Sequence, residues 1–94
     1  GDSLRILLVD DSATVRMAFS KLLVRNGYEV ETAISVADGR RKVAASAFDI
    51  AIVDYFMPEE NGPELIRHLK QDPATQHIIA ATITGTYSDT VITD

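Results

Sequence analysis

Three aspartates and one threonine stand where short apolar runs break off, and these are the residues able to do chemistry. Asp54 closes the run Ile50-Ala51-Ile52-Val53, and Pro58 follows four residues later. A proline there stops any helix, so Asp54 is expected where a buried strand opens into a loop. In an open parallel sheet, ligands bind beyond the carboxyl ends of the strands, where the strand order reverses. Asp10 and Asp11 close a second run, Leu4 to Val9, and Thr84 closes a third, Ile78 to Ile83. Taken singly, each has a plainer reading: a lone Asp commonly caps a loop, and an acid pair at a helix start is favoured by the helix dipole. Together they differ. If the first and third strands are neighbours, three carboxylates meet in one crevice. Two such charges about 5 Å apart repel by roughly 3 kcal/mol at an effective dielectric near 20. Either one carboxylate takes up a proton or a hard divalent cation binds, and Mg²⁺ suits few carboxylates, several waters and a phosphate oxygen. A carboxylate beside bound Mg²⁺ can attack phosphorus, because the metal neutralises and orients the transferring group. Thr84 offers a hydroxyl donor to a phosphoryl oxygen.

The elements that must position these residues follow in order. Leu4 to Val9 is nearly all aliphatic, as expected of a strand covered on both faces. Ser12 is an N-cap, Val15, Ala18, Phe19 and Leu22 form an apolar helical stripe, and Asn26-Gly27 supplies the stop. Glu29 to Ala33 alternates as an edge strand does. Ser35 caps a second helix with Asp38 as capping-box partner, and Val36, Val43, Ala44 and Ala47 are its expected buried side. Gly39 inside that helix costs up to about 1 kcal/mol relative to Ala. After the Asp54 strand, Pro63 fits the first turn of a third helix, whose stripe is Leu65, Ile66 and Leu69 and which ends at Asp72-Pro73. A fourth strand runs from Ile78 to Thr84, and Asp89 to Asp94 begins a fourth helix. Strands starting near residues 4, 29, 50 and 78 suit right-handed strand-helix units, so the fold class is α/β, doubly wound.

With 94 residues and 46% hydrophobic content, residues 1–94 read as one small domain. The absence of cysteine agrees with a reducing cytoplasm, the expected location. No charged-then-apolar leader and no apolar run of about 18 residues is present, so neither secretion nor a membrane span is expected. A net charge of -5 argues against a grip on nucleic acid, and Arg40-Arg41-Lys42 reads as a solvated helix face. His68 and His77 lack any metal-ligand spacing and are expected at the surface or in a loop.

Val9-Asp10-Asp11-Ser12-Ala13-Thr14-Val15-Arg16, Val53-Asp54-Tyr55-Phe56-Met57-Pro58, Asn61-Gly62 and Ile83-Thr84-Gly85 carry a resemblance that spacing alone does not give. Together they resemble the receiver domain of bacterial two-component response regulators, close to the chemotaxis type. That resemblance implies a flavodoxin-like sheet with strands in the order 2-1-3-4 and the last strand and helix of the family missing. It implies that Asp54 is the phosphoacceptor, supplied by a sensor histidine kinase or phosphotransfer protein. It implies a Mg²⁺ cofactor held directly by Asp11 and Asp54, mainly through water by Asp10, and by the backbone carbonyl of Phe56. Thr84 would be the switch hydroxyl, and phosphorylation would shift a two-state equilibrium that alters a partner surface, with any output domain outside this chain.

The departures carry expectations too. The family's fifth strand holds an aromatic switch residue and a lysine that pairs with the phosphoryl group; here Lys21, Lys42 and Lys70 all fall on helices. Without a fifth strand, the fourth is an apolar edge, and self-association through it is expected. A second reading is a degenerate receiver, a phosphorylation-independent protein-interaction module. A third, a phosphotransferase or phosphatase of haloacid-dehalogenase type, needs Asp-x-Asp after the first strand, and Ser12 stands where its second Asp belongs. The leading expectation is a signalling domain that promotes its own phosphorylation and turns over no separate substrate.

Overall fold

Four short strands account for most of the apolar runs. In the computed structural model, which describes residues 3–57 and 61–83, these are β1 (Arg5–Val9), β2 (Glu29–Ala33), β3 (Ile50–Asp54) and β4 (Ile79–Ile83). Every pairing is parallel and the order is β2-β1-β3-β4, a doubly wound flavodoxin-like sheet. The connections are α1 (Ala13–Arg25), α2 (Val36–Ala45) and α3 (Gly62–Gln71). Because β1 pairs with β2 on one side and β3 on the other, the winding reverses between β1 and β3. The register sets Val9 beside Val53, so the chain leaves both strands at the same level with Asp10 next to Asp54. On the far side of β3, Ile83 lies opposite Asp54.

The core sits under α2 and α3. Leu7, Val9, Ala33, Ala51 and Val53 point to that face and meet Val36, Leu65, Leu69, Phe48 and Ile78, all buried. Alternation turns Ile6 and Leu8 to the other face, where α1 packs against β1 and β2. Ser12 caps α1 by accepting from the Val15 N–H, and Gly27 (φ 95°) turns the chain after it. The inward stripe of α1 differs from the expected one. Val15, Phe19 and Leu23 are half-buried, whereas Ala18 and Leu22 are exposed. Apolar residues occupy a wide arc of this helix, and the set spaced four apart stacks toward the two strands it touches.

Ser35 caps α2 as expected, accepting from the Asp38 N–H at 3.0 Å, while Asp38 accepts from the Ile34 N–H at 3.1 Å. Here too the buried side is shifted. Val36 and Gly39 are buried and Val43 packs on the core, but Ala44 and Ala47 are exposed. Gly39 has a packing cause: a Cβ there would stand 3.1 Å from Leu65 Cδ2 and 3.3 Å from Val9 Cγ2. The missing methyl lets α2 approach both β1 and α3, which offsets its poor helix propensity. In α3, Pro63 takes the first turn and Leu65 and Leu69 are buried. His68 and His77 are exposed. Among the described residues, no helix is long and apolar enough to cross a membrane. Thr84, Gly85, residues 58–60, expected in a loop, and the helix start expected at 89–94 lie outside the described residues.

Candidate functional site

Asp10 follows β1 directly and is held at nearly every polar atom. Its N–H donates to the Ala33 carbonyl of β2 at 3.0 Å, extending the ladder one residue past the strand. Its Oδ1 accepts from the Ser12 N–H at 2.8 Å, and its backbone carbonyl accepts from Arg16 Nη1 at 2.7 Å. The residue is 1% exposed. Oδ2 is buried and has no hydrogen-bond partner among the described residues. Asp11, the next residue, is exposed at the mouth. The acid pair thus divides into one buried and one solvent-facing carboxylate.

Asp54 ends β3 and is 5% exposed. The loop after it is tied down on both sides: the Tyr55 N–H donates to the Ile83 carbonyl at 2.6 Å, and the Gly62 N–H donates to the Tyr55 carbonyl at 3.0 Å. The Phe56 N–H lies 3.4 Å from Asp54 Oδ1. The rings of Tyr55 and Phe56 meet edge to face, with centroids 4.6 Å apart. Gly62 is a site residue that the sequence motif contained without a role. A Cβ on it would run into the Asp54 carbonyl oxygen and come to 3.0 Å from Val53 Cγ1. The start of α3 therefore rests directly on the backbone of Asp54. The only sequence signal for this was a glycine just before Pro63, at a helix start.

The two strand ends bring Asp10, Asp11 and Asp54 together, with one carboxylate oxygen from each within 4.8 Å of the others. A buried carboxylate oxygen without a donor is costly, and a hard cation is the partner this all-oxygen set suits. The three residues therefore fit a divalent ion of the Mg²⁺ kind. Lys42 and Lys70 are engaged elsewhere, Lys42 with Asp38 and the Thr32 carbonyl and Lys70 with the carbonyls of Gln76 and Ile78.

Comparison with known proteins identifies the family. The family described as the response regulator receiver domain matches residues 6–93. Chemotaxis protein CheY of Bacillus subtilis is 36% identical over 85 residues, which are 89% of this chain and 71% of that protein. Protein-glutamate methylesterase/protein-glutamine glutaminase 1 of Anaeromyxobacter dehalogenans is 46% identical over 70 residues, 73% of this chain. The match is 20% of that relative, so the chain spans about a fifth of its length. Among solved structures, the chemotaxis protein CheY4 of Vibrio cholerae has a TM-score of 0.84 at 28% identity, covering 97% of this chain and 76% of that one. A match along residues 6–93 and a relative aligned over most of its own length lead to one assignment: the chain belongs to the response regulator receiver domain family, signalling domains of two-component systems.

Proposed function

We propose that this chain, as one receiver domain over residues 1–94, takes a phosphoryl group on Asp54 from a sensor histidine kinase or phosphotransfer protein in the cytoplasm. The reading rests on one observation, the gathering of Asp10, Asp11 and Asp54 with one carboxylate oxygen of each within 4.8 Å of the others, where the buried Oδ2 of Asp10 has no hydrogen-bond partner among the described residues. Asp11 and Asp54 would hold Mg²⁺ directly, Asp10 through a water, and the Phe56 backbone carbonyl would complete the protein's share. When bound, the ion neutralises charge on the phosphoryl group and orients it.

An Asp54 carboxylate oxygen forms a bond to phosphorus as the P–N bond of the donor phosphohistidine breaks. The electron pair of that bond returns to an imidazole whose other nitrogen is protonated, so the donor leaves as neutral histidine and Asp54 becomes an acyl phosphate. Thr84 would donate its hydroxyl to a phosphoryl oxygen and draw the loop after β4 inward, which changes a surface read by a partner or by an output domain outside this chain. Association with a second copy through β4 is a further part of this reading.

The test is incubation with Mg²⁺ and acetyl phosphate, followed by intact mass, with Asp54→Asn alongside. One added phosphoryl group in the wild type and none in the variant is the expected result. No addition to the wild type rejects the phosphoacceptor reading for this chain and favours a receiver that acts by protein contact alone.

A further inference from the structure

The geometry points to Arg16 as the positioning residue of the acidic site, an inference that rests on reading that site as one for Mg²⁺. Arg16 lies in the first turns of α1, and its own N–H donates to the Ser12 carbonyl at 2.9 Å, which fixes the base of the side chain. The guanidinium then reaches back, and Nη1 donates to the Asp10 backbone carbonyl at 2.7 Å. A short bond from a permanently charged donor is a strong one.

What that bond controls follows from the planarity of the peptide unit. The Asp10 carbonyl shares its plane with the amide of Asp11, so fixing the carbonyl also fixes the direction in which Asp11 leaves the strand. Asp10 itself is pinned at three polar groups, its N–H by Ala33, its Oδ1 by Ser12 and its carbonyl by Arg16. Oδ2 is buried and has no partner among the described residues. Arg16 thereby sets the presentation of both members of the acid pair from outside the ligand set, as an outer-shell partner does in a metal site.

Its charge acts the other way, because a cation near the site repels a second cation. The two effects make opposite predictions for metal affinity; the short bond to the Asp10 carbonyl favours positioning, and the titration separates it from the charge.

Isothermal titration of Mg²⁺ into the wild type, Arg16→Met and Arg16→Lys tests this, with Asp10→Asn as the site control and urea melts to report folding. Arg16→Met is expected to raise the Mg²⁺ dissociation constant about tenfold, the low end for loss of an outer-shell partner. Arg16→Lys, which keeps the charge and a donor, recovers most of the affinity. Unchanged affinity in a less stable Met variant makes the role merely structural, and tighter binding makes it merely electrostatic; either overturns the inference. Should Arg16→Met not fold, Arg16→Gln, polar but too short for the carbonyl, is read against the same two outcomes. If the wild type shows no Mg²⁺ binding that Asp10→Asn abolishes, the metal reading fails and takes this role with it. Failure at Arg16 alone leaves the metal reading standing.

Discussion

Asp38 is a buried carboxylate outside the acidic site, and its chemistry is structural. The Ile34 N–H, then the charges of Lys42 and Arg41, hold its carboxyl below the usual carboxylate range against the opposing effect of burial. A folded-state pKa below the unfolded one means the stabilisation is fully present above about pH 4, the unfolded carboxylate's range, and is lost as pH falls through the lower folded value. Asp38→Asn keeps an acceptor for Ile34 but removes the charge. It is expected to cost about 1 kcal/mol at neutral pH, the difference between a charged and a neutral hydrogen bond. Urea melts at a series of pH values should show the gap between wild type and variant closing only below about pH 4. A gap that stays constant to pH 2 would assign the cost to packing instead.

At the scale of elements, β1 and β3 were legible because buried parallel strands are written as apolar runs, β2 because its residues alternate, and the caps because Ser12 and Ser35 each precede a helical pattern. Which arc of a helix turns inward was less legible, since α1 is apolar around much of its circumference and only its contact with β1 and β2 selects Val15, Phe19 and Leu23. Phe48 left no periodic signal: it is a single aromatic between α2 and β3, yet it is 2% exposed and lies under the Arg5 guanidinium at 5.1 Å from the ring centroid. Within the site, Asp10, Asp11 and Asp54 were readable from strand ends, but the support under them was not. Gly62 shows why, for its role is a contact between elements distant in sequence rather than a pattern along either. Gly62→Ala must push α3 off the Asp54 carbonyl. The expected cost is roughly 1–3 kcal/mol, the range for inserting a methyl where no room exists, together with weaker Mg²⁺ binding. Urea denaturation and calorimetry read the two effects separately, and wild-type values in both would show that α3 shifts without disturbing Asp54.

For the molecule as a whole, the sheet is asymmetric. Among the described residues, β2 closes one edge with Glu29 and Glu31, charged residues of the kind that discourage pairing, while β4 forms the other with Ile79 at 67% exposed and Ala81 and Thr82 also exposed. Among the described residues, β4 pairs only with β3, so one row of its backbone groups has no sheet neighbour. Another copy of β4 meets that row without placing like charges face to face, because Ile79 to Ile83 carries none. Reversible self-association is therefore expected, with a weight-average mass by sedimentation equilibrium that rises with concentration. The net charge of -5 on each chain opposes it, so raising the salt concentration should strengthen association by screening that repulsion; a contact built from ion pairs would weaken instead. Ile79→Lys places a charge on the edge and should leave a monomer across the same concentrations, with little loss of stability because the side chain it replaces is already solvent-facing. A variant that associates as the wild type does would move the contact away from β4.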